Sequence, residues 1–282
     1  MKLYSGKTKN VSAKKILGER LEAGQFNENT SEHLHRYAIA STLCQNKSVL
    51  DIACGDGYGS NMMAKKARSV AGVDIDGETI ILAREKYKKD NLEYKQGSAA
   101  RIPYPDNSFE IVVSFETLEH HDKHIEMMQE IKRVLIPGGV CCISTPDKLV
   151  YTDQKNYKNP FHVKELYREE FEDLLKAHFK NVVILKQQFF SGSLIVPDNS
   201  ESDKLKLLSG NFDSFEQVGN IQAEYLIALA SDGNITFGET SIFLDPDFSK
   251  NKILQFQNSS LRYKVGKLIL SPMRFLKKRA DK

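Results

Sequence analysis

The run Val49-Leu50-Asp51-Ile52-Ala53-Cys54-Gly55-Asp56-Gly57-Tyr58-Gly59 constrains this chain more than any other stretch. It begins as a short apolar strand, breaks at three glycines spaced two apart, and enters a helical pattern. Glycine lets a backbone turn sharply and come close to a ligand because no Cβ intervenes. A strand that ends in such a loop and feeds a helix N-terminus makes a crevice for a nucleotide-type ligand at the carboxyl edge of an α/β sheet. A second strand pattern, Ser69–Asp74, ends in an acid that can accept hydrogen bonds from both hydroxyls of a ribose. Ser60 stands where the third glycine of the dinucleotide fingerprint would fall, so the loop suits a pyrophosphate less well.

The rest of the chain supports that reading. Strand patterns over Ser48–Ile52, Ser69–Asp74, Leu92–Gln96, Glu110–Phe115 and Val140–Ser144 alternate with helical patterns over Ser31–Cys44, Ser60–Lys66, Glu78–Lys89 and Lys123–Leu135. Asp76 is placed to cap the third helix, and Pro137-Gly138-Gly139 to end the fourth. An amphipathic pattern over Lys164–Phe179 precedes further strands at Val182–Gln187 and Glu224–Ala230. This order predicts an α/β fold: a doubly wound, mostly parallel, seven-stranded sheet with an antiparallel last strand and an insertion before it. We divide the chain into an N-terminal arm (1–30), the main domain (31–235, with an insertion at about 189–223) and a C-terminal extension (236–282).

Composition narrows the partners. A net charge of +3 over 282 residues gives no global electrostatic case for nucleic acid. Cys44, Cys54, Cys141 and Cys142 form no C-x-x-C pair, so neither zinc nor a disulfide framework is expected, and adjacent Cys141 and Cys142 should be buried, reduced thiols on opposite faces of a strand. The N-terminus has no apolar signal core and no apolar run reaches membrane-spanning length, so a soluble, cytoplasmic protein is expected.

The glycine loop and Asp74 resemble the cofactor motifs of the class I S-adenosylmethionine (SAM) methyltransferases, with Ala53 where many members carry a first glycine. Gly97-Ser98-Ala99 followed by Ile102–Ser114 resembles the family's adenine-closing segment and fourth strand, with Ser98 in place of the usual Asp. Glu130–Gly139 resembles its helix-to-strand turn. The resemblance implies SAM as cofactor, held by Arg36, Asp51, Gly55, Asp56, Gly57, Tyr58, Asp74, Ile75, Ser98, Ala99, Ser114 and Phe115. Arg36 is the candidate partner for the cofactor's carboxylate, which a guanidinium fork matches in shape.

Three further segments, Glu32–Tyr37, Phe115–His121 and Asn159–Leu166, resemble methyltransferases that accompany glycosyltransferases in surface-polysaccharide assembly. That resemblance implies O-methylation of a sugar hydroxyl of a glycan or nucleotide-linked sugar. The rivals are an O- or C-methyltransferase of a small metabolite, quinone or lipid, and a non-catalytic assembly subunit with the same fold. Glu116, Glu119 and His120 form a Glu-x-x-Glu-His set after the fourth strand, similar to the divalent-metal motif of ubiquinone-pathway and small-RNA methyltransferases, and His162 follows the fifth strand. Two readings are open: a metal site for Mg or Mn built from Glu116, Glu119, His120 and His162, or a metal-free site in which His120, His162 and Glu116 handle the proton. Asn159-Pro160-Phe161 follows the fifth strand rather than the fourth, which argues against DNA-base methylation.

The last 22 residues hold eight Lys or Arg and one Asp, with Leu261, Val265, Leu268, Ile269, Phe275 and Leu276 near helical spacing. This segment reads either as a basic amphipathic contact with an anionic membrane or a glycosyltransferase, or as a helix packed on its own domain.

Overall fold

The computed structural model describes residues 28–190, 208–210, 214–217, 223–237 and 240–243. The elements run α1 (Glu28–Leu43), β1 (Ser48–Ile52), α2 (Tyr58–Met63), β2 (Ser69–Asp74), α3 (Gly77–Lys86), β3 (Leu92–Gln96), β4 (Phe109–Ser114), α4 (His124–Val134), β5 (Leu135–Pro146), α5 (Arg168–Lys176), β6 (Asn181–Gln187), a short hairpin β7 (Leu208–Gly210) with β8 (Phe215–Gln217), and β9 (Tyr225–Ser231). A single-turn 3-10 helix, Leu118–His120, follows β4, and a π-helical turn, Leu149–Asp153, follows β5. The amphipathic segment proposed at the C-terminus and most of the N-terminal arm lie outside the described residues.

Seven strands form one sheet in the order β3-β2-β1-β4-β5-β9-β6. The first five are parallel, and β9 inserts between β5 and β6, antiparallel to both. This is the expected α/β architecture, with the strand order reversing between β1 and β4. The crevice outside the carboxyl ends at such a switch point is where ligands bind in open α/β sheets.

Alternation along the strands divides the core between two faces. Leu50, Ile52, Val112, Cys141 and Ile143 pack with Met127, Ile131, Phe171 and Leu175 of α4 and α5. Val49, Ile111, Val113 and Cys142 pack with Tyr37, Ala40 and Met63 of α1 and α2. Cys141 and Cys142 therefore do face opposite ways, and all four cysteines are free and buried. Side chains of successive strand residues point to opposite faces, and with helices covering both faces the central strands are apolar throughout.

Most element ends differ from expectation by one to three residues, and two larger differences have identifiable reasons. Strand β5 starts at Leu135, not Val140: Phe109 pairs with Leu135, and the register shifts before Ile111 meets Val140. The Pro-Gly-Gly run, with Gly138 at φ +77°, is thus an irregularity inside a strand rather than a terminator. Helix α5 starts at Arg168, not Lys164, because the backbone N–H groups of Val163 and Lys164 both donate to the Glu119 carbonyl (2.7 and 3.1 Å) and Leu166 bridges to Asp147.

Candidate active site

The cofactor edge is built where β1, β2 and β4 end. Gly55 and Gly57 adopt φ of +54° and +84°, and Ala53 is forced to +57°. A left-handed conformation costs a residue with a Cβ about 1–2 kcal/mol, so the missing first glycine leaves strain in this loop. A Cβ on Gly59 would overlap the Tyr37 ring, and one on Gly57 would press the Tyr94 ring, whereas one on Gly55 would enter open space. Gly57 and Gly59 thus hold the loop against the protein, and Gly55 faces the room a ligand needs.

Asp74 ties the loop to β2. Its Oδ2 accepts from the Gly55 N–H (2.9 Å) and its Oδ1 from the Asp76 N–H (2.9 Å). Ile75, beside it, is exposed. Asp56 pairs with Lys86 of α3 (2.7 Å) and accepts from the Tyr58 N–H (3.2 Å), while the Tyr58 hydroxyl lies 3.0 Å from His33 Nδ1.

Several residues predicted to touch cofactor stand behind this edge. Asp51 is wholly buried and accepts from the Ser60 hydroxyl (2.6 Å) and the Tyr37 hydroxyl (3.3 Å). Burial raises its carboxyl to about 7 despite those donors. Ser114 is wholly buried, its hydroxyl within hydrogen-bond distance of the Ile52 carbonyl (3.3 Å) and the Thr117 hydroxyl (3.1 Å). Phe115 packs edge-on against Tyr37. These three shape the crevice from beneath. Ser98 accepts from the Ala100 N–H (3.2 Å) within a tight turn, with Ala99 half-buried between them.

Arg36 is 1% exposed, the largest fully buried side chain described. Its Nε donates to Gln187 Oε1 (2.6 Å), its guanidinium carbon lies 4.4 Å from the centre of the Tyr225 ring, and Nη1 is 3.3 Å from Glu116 Oε1. Neither Nη1 nor Nη2 makes a hydrogen bond among the described residues. A buried cation with two unsatisfied nitrogens fits an incoming carboxylate. Gln187 and Tyr225 escaped sequence reasoning, which read them only as strand residues.

A second cluster forms where β4 and β5, parallel neighbours, end side by side. Glu119 is 1% exposed, and its Oε2 accepts from Thr145 (3.2 Å). Desolvation, reinforced by nearby Glu116, pushes its carboxyl well above the usual range. The rings of His120 and His162 meet edge to face at 5.2 Å, and His120 Nδ1 lies 3.1 Å from the Phe161 carbonyl. One ligand atom each of Glu119, His120 and His162 lies within 4.8 Å of the others. Glu116 does not complete the predicted four: at φ +51° its side chain accepts from Ser144 (2.6 Å) and faces Arg36. Glu165, which the sequence did not single out, sits 2.5 Å from His162 Nδ1 and accepts from Thr152 (2.5 Å). Asn159, 2% exposed, places its amide 3.1 Å from His162 Nε2.

Known proteins agree with this architecture. A family described as a methyltransferase domain matches residues 50–143. A protein of Mycolicibacterium smegmatis named "Probable S-adenosylmethionine-dependent methyltransferase" is 35% identical over 59% of this chain and 65% of its own length. A fatty-acid O-methyltransferase of the same species is 33% identical over 39% of this chain and 43% of its own. The chain thus spans less than two thirds of these relatives. A solved structure from Bacillus halodurans, assigned as a methyltransferase, shares the fold with a TM-score of 0.52 and 18% identity, over 72% of this chain and 100% of that one. Residues 50–143 thus match a methyltransferase domain, and the seven-stranded sheet built around them has the fold of the class I SAM-dependent methyltransferases.

Proposed function

We propose that the chain is a SAM-dependent O-methyltransferase whose acceptor is a sugar hydroxyl of a glycan or nucleotide-linked sugar. The observation that carries SAM binding is the buried, half-satisfied Arg36 guanidinium, on the same sheet edge as Gly55 and Asp74. Bound SAM supplies an already activated methyl group. The chain's own task is to position a hydroxyl behind that methyl and remove its proton.

His162 suits the proton. The Glu165 carboxylate fixes the ring proton on Nδ1, which leaves Nε2 as the basic nitrogen. The Asn159 amide that donates toward Nε2 holds the ring in place until a hydroxyl takes over that position. An alternative use of the same side chains is a divalent ion of the Mg or Mn type held by Glu119, His120 and His162, which would supply Lewis acidity to the hydroxyl. A carboxylate with two imidazoles fits such an ion, and buried Glu119 gains a counter-charge for its anion. Full activity in chelator supports the His162 base; loss restored by added Mn or Mg supports the ion.

A lipid or quinone acceptor is the second reading, favoured by the exposed Phe161 and Val163 flanking His162 and by the fatty-acid O-methyltransferase among the relatives. Incubation with methyl-labelled SAM, followed by separate counting of an aqueous glycan and nucleotide-sugar fraction and a solvent-extracted lipid fraction, tests the choice. Label in the aqueous fraction supports the sugar, and label in the lipid fraction moves the assignment to the second reading. SAM binding with label in neither would make the chain a non-catalytic subunit.

A further inference from the structure

We propose that the segment between β5 and α5 is a docking surface for an anionic lipid bilayer. It then presents the acceptor edge of the site to a membrane interface. Leu149, Tyr157, Phe161 (48%) and Val163 (63%) of this segment are exposed. The same segment, residues 147–167, holds four lysines and three acids, of which Asp147 is buried and Glu165 is engaged with His162. Lys155, Lys158 and Lys164 are exposed, and Lys158 and Lys164 have no ion-pair partner among the described residues.

The apolar side chains are held outward by a fixed backbone. Val163 and Lys164 donate to the Glu119 carbonyl, the Phe161 N–H donates to Asn159 Oδ1 (3.0 Å), and the Phe161 carbonyl faces His120. With the loop pinned at those points, the chain alternates: Asn159 and His162 turn inward, Phe161 and Val163 outward. Apolar and aromatic side chains interleaved with lysines match the boundary of a bilayer, where the apolar groups enter the headgroup region and the ammonium groups meet anionic lipid. The charge complementarity selects an anionic surface over a neutral one. Among the described residues no helix is long and apolar enough to cross a membrane.

The proposal rests on the assigned acceptor edge only for its meaning, because the tests below read binding without turnover. The chain contains no tryptophan, so Phe161→Trp supplies a single fluorescent reporter at the surface. A blue shift on adding phosphatidylglycerol-containing vesicles, absent with pure phosphatidylcholine, is expected. Co-sedimentation of the full chain with the same vesicles should fall about fivefold for each lysine removed at Lys158 and Lys164. It should fall further in the Phe161→Ser, Val163→Ser double variant, with melting temperature unchanged. An unshifted tryptophan overturns the proposal. So does a full chain that stays in the supernatant, and so do variants that sediment like the parent, which would assign binding to another segment such as residues 261–282.

Discussion

Replacing Arg36 by Lys separates the two roles of that side chain. Removing the charge outright would strand Glu116: at 3.3 Å the gross attraction is about 5 kcal/mol at an effective dielectric constant of ~20, and breaking a buried pair leaves an uncompensated ion. An alanine variant would therefore confuse stability with binding. Lysine keeps the charge but offers one nitrogen, so it cannot bond Gln187, face Glu116 and present a fork to a ligand carboxylate together. The loss is at least one charge-assisted hydrogen bond, about 1.5–3 kcal/mol, or roughly 10- to 150-fold in Kd. Calorimetric titration with SAM should show that loss, while 5′-methylthioadenosine, which lacks the amino-acid carboxylate, should bind Arg36→Lys as it binds the parent. Equal weakening of both ligands, or none of SAM, would refute the carboxylate assignment.

Three other outcomes follow from the same geometry. Asp74→Ala removes the brace to Gly55 along with the ribose acceptor, so SAM affinity should fall by two charge-assisted bonds, about 1.5–3 kcal/mol each; titration at unchanged Kd would remove Asp74 from the site. Ala53→Gly relieves a positive φ and should raise stability in urea by roughly 1 kcal/mol, less the extra entropy of glycine in the unfolded chain; a lower denaturation midpoint would contradict the strain. Asp51 has its folded-state pKa raised to about 7 by burial, so the folded protein keeps a proton that the unfolded chain releases from the ordinary carboxylate range upward. Its contribution is therefore present at low pH and lost as pH rises toward 7, at about 1.4 kcal/mol per pH unit as a ceiling. Relative to the parent, Asp51→Asn should gain stability between pH 4 and 7 in thermal melts, and a pH-independent difference would rule the shift out.

The strands and the glycine loop were legible in the sequence because both rest on local rules. Short apolar runs bounded by turn residues placed β1, β2 and β3 to the residue. Gly55 and Gly57 announced positive φ in advance of any coordinates, and Asp76 announced a helix cap that its bond to the Glu78 N–H realises. Tertiary structure alone decided what lies behind that loop and what meets across the sheet edge. Asp51, Ser114 and Phe115 look like ligand contacts in the sequence, yet they brace the crevice from below, because burial depends on what other elements pack over them. Arg36 is completed by Gln187, 151 positions away, and by Tyr225. His162 is oriented by Glu165 across a turn that helical periodicity had assigned to α5. Glu116, adjacent in motif to Glu119 and His120, turns toward Arg36 because a positive φ redirects its side chain. Such pairings depend on where chain segments distant in sequence come to rest, and neither spacing nor propensity encodes that position.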